Sequence, residues 1–363
     1  GLDFEITGSD SESIIFSIPT HSADIQRDID LIEEVARIHG YGKVKPVLPY
    51  LPACPNTPML IELAREKAAE TLSALGFDEA ISYSFTSSRL TQALGYSIEH
   101  AVKIANPISP NQDIMRTSLL PGLMEAFAHN MNHGILDIAL YESGKVFTNN
   151  NEGVLEEIFL IAGICGDRPS SWQGKGAPAD FYYIKGTADI ILRALGFSMM
   201  KIESVKASPQ YHPGRAARYM LNSTELCCFG EMHPIMADRL EMKRRVYLLE
   251  MNLSRILTLP RTPDKFAPLP KYPAVSRDLA VVLDDTISAG DIEAVIRDVS
   301  GEELESVGIF DLYKGDPVPQ GKKSLAYSFV FRAQDRTLTD AEVNRHMSAI
   351  LAVLTERFQA ILR

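Results

Sequence analysis

The chain has 363 residues, 45% of them hydrophobic and 23% charged, a globular composition with length enough for two or three packed domains. Its 36 Lys and Arg stand against 47 Asp and Glu, a formal net charge of -11. That balance excludes a general, charge-driven hold on nucleic acid or an anionic membrane and confines any polyanion site to a local patch. No apolar run approaches the roughly 20 residues that span a bilayer, and no signal sequence is present, so a cytoplasmic protein is expected. Cys54, Cys165, Cys227 and Cys228 lack CxxC spacing and read as reduced, buried thiols, with Cys227 and Cys228 on opposite faces of a strand. The chain starts at Gly1, close to its first apolar strand, as a piece of a longer protein would.

In chain order, IIFSIPTHSADI runs from strand into turn, and RDIDLIEEVARIHGYGK places Ile29, Ile32, Val35, Ala36 and Ile38 at helical spacing before Gly40. The prolines of KPVLPYLPACPNTP forbid a helix and put a boundary near residue 50. Leu60, Leu63, Ala64, Ala68, Leu72 and Leu75 form a second helical stripe, ended by Gly76. EAISYSF alternates Ile81, Tyr83 and Phe85 with Ser82 and Ser84, the period of a half-buried strand. A helix is expected from Pro121, then strands over LDIALYESGKVF and EEIFLIAGICG, a helix closed by Gly196, and short strands over RAARYML, LCCFGEM and RVYLLEMNL. Strands in succession with few helices predict an α+β fold with a mixed, mainly antiparallel sheet.

A second proline-rich stretch, LPRTPDKFAPLPKYP, precedes the last segment. There the order is strand, helix, strand, strand, helix, strand, with Ser288 and the Thr339 to Glu342 capping box opening the helices and QAILR as a final edge strand. This is the ferredoxin-like split βαβ pattern, in which two helices cover one face of a four-stranded antiparallel sheet and leave the other open. The predicted domains are 1–50, a partial helix-containing module; 51–260, the core; and 261–363, the ferredoxin-like domain.

Few residues suggest catalysis. His129 and His133 have metal-ligand spacing on a helix, but the Glu of HExxH and a third ligand are missing, so no metal site is assigned. Glu33 and Glu34 are about 100° apart around a helix and cannot converge as an acid and base. Arg215 and Arg218 in YHPGRAARYM are read as ion-paired residues at the start of a strand. No nucleophile elbow or triad order is found, and no catalytic residue is assigned.

Together, GFDEAISYSF, NPISPNQDIMRTSLLPGL, YESGKVF, FYYIKGTADIIL, YHPGRAAR, GEMHP, YPAVSRDLAVVL, GIFDLYKGDPVPQGKKSLAYSFVFR, RTLTDAEV and the closing ILR resemble, in order, the β subunit of bacterial phenylalanyl-tRNA synthetase. IPTHSADIQRDIDLIEEVARIHGYGKVKP resembles the end of the module preceding that subunit's core. The resemblance implies a class II synthetase fold that has lost its catalytic residues, followed by an anticodon-binding domain. It implies an α2β2 heterotetramer with a catalytic α subunit, which joins phenylalanine to tRNA(Phe) using ATP and magnesium. No cofactor is expected on this chain: Arg116 and the Tyr141-Glu142 stretch resemble a degraded motif 2 whose acceptor partners are missing. The family's editing module is expected to be absent. A free-standing RNA-binding protein with a degenerate synthetase domain is the alternative, and a stand-alone class II ligase would need an ATP site that is not found.

Strand alternation then predicts what faces RNA. Phe310, Leu312, Leu325, Tyr327, Phe329, Phe331, Leu279, Val281 and Leu283 are expected to face the helices. Ala280, Asp311, Tyr313 and Ser324 are left on the open face as the anticodon-binding set, with Ala326 and Ser328 beside them. Tyr313 would stack on a base, worth roughly 1–3 kcal/mol, while Asp311 and Ser324 bond base edges. Residues 271–363 hold 11 Lys and Arg against 15 Asp and Glu, so phosphate contacts fall to a few placed cations. The candidates are Lys271, Arg277, Lys314, Lys322, Lys323 and Arg332.

Overall fold

A computed structural model describes residues 4–50, 58–150, 152–168, 172, 174, 176–198, 200–261, 266 and 268–363. Residues 1–57 and 58–363 form two compact units. In the first, antiparallel strands β1 (Glu5–Ser9) and β2 (Ile14–Ser17) precede α1 (Asp28–His39). The Asp30 carboxylate accepts from the backbone N–H groups of Gln26 and Arg27, satisfying donors at the helix start. The expected apolar stripe of α1 exists, but Ile29, Ile32, Val35 and Ile38 are all exposed. Cys54 lies outside the described residues.

The second unit begins with α2 (Leu60–Ala74), β3 (Asp78–Glu79), β4 (Phe85–Thr86), α3 (Ser88–Ala93), β5 (Ile114–Met115) and α4 (Leu120–Asn132). There follow β6 (Ile138–Asn150), β7 (Gly153–Cys165), α5 (Phe181–Ala194), β8 (Lys201–Ser204), β9 (Tyr211–Leu221), β10 (Thr224–Met232), α6 (Pro234–Arg239), β11 (Val246–Asn252) and α7 (Leu253–Ile256). Seven strands make one sheet in the order β3-β6-β7-β11-β10-β9-β8, parallel only between β3 and β6. Its two faces follow from the two-residue period of β7: Leu160 and Ala162 pack under α2 and α5, Ile161 and Cys165 under α4. Cys227 and Cys228 divide between the same two faces, as adjacent strand residues must. The described thiols, Cys165, Cys227 and Cys228, are free. Arg215 pairs with Glu231, and Arg218 with Glu203 and Glu225.

The stretch EAISYSF departs from expectation. Only Asp78–Glu79 and Phe85–Thr86 are strand, and Ile81 and Tyr83 are 89% and 76% exposed. The serines decide this orientation. Ser82 Oγ donates to Glu142 Oε2 (2.7 Å), and the Ser84 carbonyl accepts from Arg116 N (2.9 Å), so the polar side of the segment is the one held against the core.

Arg116 and Glu142 themselves form a buried ion pair, Nη1 to Oε1 at 2.5 Å. Arg116 also donates through Nε to the Lys145 carbonyl (2.7 Å) and through Nη1 to Ser82 Oγ (3.0 Å). These acceptors hold the Arg116 side chain inward. Glycine makes the room: a Cβ on Gly144 would lie 2.2 Å from Arg116 Nη2, and one on Gly122 would lie 2.4 Å from Ser82 Oγ. On the same side of the sheet Glu250 accepts from Tyr96 Oη (3.0 Å), and burial pushes its carboxyl up to about 7.

The terminal segment comprises β12 (Val275–Asp284), α8 (Ala289–Ser300), β13 (Leu304–Tyr313), β14 (Lys322–Phe331), α9 (Asp340–Phe358) and β15 (Ile361–Leu362). The strands lie in the order β13-β14-β12-β15, all antiparallel, which is the ferredoxin-like arrangement. Ser288 Oγ accepts from Asp291 N, and the Thr339–Glu342 capping box forms in both directions. Leu279, Val281, Leu283, Leu325, Tyr327, Phe329 and Phe331 join Ile292, Ile296, Val343, Ile350 and Leu354 in one buried cluster under the helices.

Phe310 and Leu312 do not join it, against expectation: they are 61% and 55% exposed. A bulge between Ile309 and Asp311 makes Phe310 an extra residue with no partner of its own. Leu312 keeps its register opposite Leu325, but it stands near the end of an edge strand, outside the cluster that the helices cover.

Two outcomes follow. Glu142→Ala strands a buried guanidinium and is expected to cost about 3–5 kcal/mol, read as a lower denaturant midpoint at unchanged slope. For Glu250 the folded pKa lies above the unfolded one, so the native state holds the extra proton between about 4.5 and about 7 and stability falls as pH rises through that window. Glu250→Gln is expected to flatten that fall and raise the melting temperature above pH 7; a pH series of melting curves that superimposes on the parent's rejects it.

Candidate nucleic-acid interface

The open face of the terminal sheet is assembled by register. Ser324 of β14 lies opposite Val282 on one side and Tyr313 on the other, and Ala326 lies opposite Ala280 and Asp311. Partners in an antiparallel pair share a face, so these residues form two adjacent rows away from the helices. Asp311 and Tyr313 are exposed, whereas Ser324 and Ala326 are buried and Ala280 half-buried. Small side chains form the floor, with the carboxylate and the phenol standing above it on the edge strand. Tyr313 Oη donates to the Asp316 carbonyl (2.7 Å), which ties the ring to the following turn.

Two residues of this face were not foreseen. Val282 belongs to the Ser324 row by pairing. Arg363 follows β15, its backbone N donating to the Ala280 carbonyl (3.0 Å). Its guanidinium donates from Nη1 to Ser324 Oγ (3.2 Å) and lies 5.2 Å from the centroid of the Tyr313 ring. The only trace of this in the sequence is an arginine directly after a short edge strand; its meeting with Tyr313, 50 residues away, comes from the fold.

The six expected phosphate contacts divide sharply. Lys323 is buried, and its Nζ donates to the carbonyls of Asp285 (2.9 Å) and Ile287 (2.6 Å); burial lowers its pKa. It lies opposite Leu283, on the helix side, so it closes a turn and does not face the open surface. Lys314 pairs with Asp285, Arg277 with Asp340, and Arg332 with Glu305 and the Tyr272 carbonyl. Among the described residues, Lys271 and Lys322 carry no ion pair.

In the core, Arg116 directs Nε and Nη1 to the Lys145 carbonyl, Ser82 and Glu142. Among the described residues no group of three His, Cys, Asp or Glu could hold a metal ion; His133 Nδ1 instead meets the His129 carbonyl.

The second unit combines a mainly antiparallel seven-stranded sheet with an open four-stranded sheet that carries Tyr313 on its edge strand. Comparison with known proteins identifies both parts. The family model described as "Phenylalanyl tRNA synthetase beta chain CLM domain" matches residues 45–253, "tRNA synthetase B5 domain" matches 1–41, and "Ferredoxin-fold anticodon binding domain" matches 270–363. The chain belongs to the phenylalanyl-tRNA synthetase β-chain family. It is 37% identical to the phenylalanine–tRNA ligase beta subunit of Moorella thermoacetica, over 100% of this chain and 46% of that protein. The beta subunits of Carboxydothermus hydrogenoformans (34%, 100% and 46%) and Bacillus subtilis (33%, 98% and 44%) are similar. The chain thus spans slightly less than half the length of the curated relatives it matches. A solved pyrrolysyl-tRNA synthetase from Desulfitobacterium hafniense aligns with 55% of this chain and 69% of its own at TM-score 0.45 and 16% identity.

Lys323→Ala removes the donor shared by the Asp285 and Ile287 carbonyls and is expected to lower the stability of the chain by about 1 kcal/mol. Lys322→Ala is expected to leave stability unchanged, as read by paired thermal melts.

Proposed function

We propose that this chain is the non-catalytic core and anticodon-binding part of a phenylalanine–tRNA ligase β subunit. It scaffolds the catalytic α subunit in an α2β2 heterotetramer and takes the anticodon of tRNA(Phe) on its open sheet. The α subunit joins phenylalanine to the tRNA with ATP and magnesium, in the cytoplasm. The reading divides the chain near residues 50 and 260, within the two proline-rich stretches. Its single strongest support is the pairing that brings Asp311, Tyr313, Ser324 and Ala280 together on the uncovered side of a domain that matches an anticodon-binding family.

The chemistry of recognition follows from the floor and the platform. A single-stranded base lies flat on small side chains and stacks on Tyr313. The Asp311 carboxylate accepts from base N–H groups, and Ser324 can bond a base edge. Of the six candidate cations, Lys271 and Lys322 remain for phosphate; Lys323 is removed from the set because its ammonium is committed to the turn. No described helix is long and apolar enough to cross a membrane.

Tyr313→Ala in the assembled ligase is expected to raise the Michaelis constant for tRNA about tenfold, the loss of one stacking contact. Steady-state charging measures it, and a tRNA Michaelis constant equal to that of the parent rejects the anticodon assignment.

A further inference from the structure

The terminal domain is acidic, and several of its arginines and lysines are matched internally, Arg277 to Asp340, Lys314 to Asp285, Arg332 to Glu305, and Arg336 to Glu303 and Glu342, whereas Lys271 and Lys322 carry no ion pair among the described residues. Arg363 differs in that its partners, a tyrosine ring and a serine hydroxyl, are both neutral and both on the open face. Among the described residues no side-chain carboxylate pairs with it, Asp311 included, although Asp311 stands on the same face. A guanidinium held by uncharged groups in an acidic domain has been placed for something other than charge neutralisation.

The hydrogen-bond inventory says what it does to Ser324. A guanidinium has only donors, so in the contact of Arg363 Nη1 with Ser324 Oγ the serine oxygen must accept. A serine oxygen has two lone pairs, so this contact occupies one and leaves the other, together with the hydrogen. The buried hydroxyl serves as an anchor that fixes where the Arg363 guanidinium lies. Tyr313 is fixed by the same residue. Its Oη is tied to the Asp316 carbonyl and one ring face lies against the Arg363 guanidinium, so the opposite face is left for stacking.

We infer that Arg363 is a positioning residue of the RNA-reading face, anchored on Ser324 Oγ and holding the Tyr313 ring in its stacking orientation. The inference rests on the reading of this face as the anticodon site. Arg363 acts through its two neighbours, so its contribution to RNA affinity belongs to a coupled trio and not to a separate phosphate contact. The backbone bond from Arg363 N to Ala280 O does not need the side chain, so truncating the side chain leaves the edge strand its anchor.

The test uses the ligase assembled from full-length subunits, with its own tRNA as probe and amino-acid-dependent pyrophosphate exchange as the count of active enzyme. Arg363→Ala is expected to raise the tRNA Michaelis constant about tenfold, the scale of one charge-assisted hydrogen bond, with kcat changed less than about twofold. Arg363→Lys, which keeps a charged donor, is expected to recover part of the loss. In a cycle with Ser324→Ala, the double variant is expected to lose markedly less than the product of the two single losses. A double variant that loses the full product makes Arg363 an independent contact and overturns the inference. So does an Arg363→Ala enzyme with the parent's Michaelis constant while Tyr313→Ala raises it, an outcome that leaves the anticodon reading standing. If Tyr313→Ala and Arg363→Ala both match the parent, the anticodon reading falls and the inference falls with it.

Discussion

Ten consecutive residue pairs join β12 to β14, from Val275 opposite Phe331 to Asp284 opposite Lys322, without a bulge. That uninterrupted ladder is the constraint on which the functional face depends. A one-residue slip in either strand would exchange the buried row of Leu325, Tyr327 and Phe329 for the row of Ser324, Ala326 and Ser328. The aromatic residues of β14 make such a slip costly, since Phe329 and Phe331 are stacked and fully buried beneath α8 and α9. The apolar face of the sheet thus enforces the polarity of the other, and the small residues lie flat because the large ones behind them cannot move.

The core applies the same economy to charge. Arg116 and Glu142 are buried together, enclosed by Ser82 and by glycines that leave no space for a Cβ. A buried ion pair contributes little net stability, yet breaking it is costly, so it defines one packing arrangement for the segment between β3 and β6. Through Nε and Nη1 this guanidinium is committed to the Lys145 carbonyl, Ser82 and Glu142.

Much of this was legible in the sequence. Periodicity predicted α4 from Pro121, the paired strands β6 and β7, and the split βαβ order of the terminal domain, because each is dictated by local pattern. Local pattern failed where a distant residue decided the outcome. EAISYSF has strand alternation, but Arg116 and Glu142 claim its serines and leave Ile81 and Tyr83 outside. Phe310 alternates correctly until a bulge removes it from the count. Lys323 looked like its neighbour Lys322, and only the turn carbonyls of Asp285 and Ile287 distinguish them. Arg363 carried no pattern at all, since one residue after a two-residue strand has no period to read.

The internal matching of cations has a consequence for how such a surface meets RNA. Protein that neutralises phosphates with free lysines and arginines releases condensed counterions, and its affinity collapses as salt rises. Here Arg277, Lys314, Lys323 and Arg332 are already occupied within the domain, so few counterions are exchanged on contact. On the proposed reading, association with this face would draw instead on stacking and on hydrogen bonds, and its affinity would fall only shallowly as salt rises.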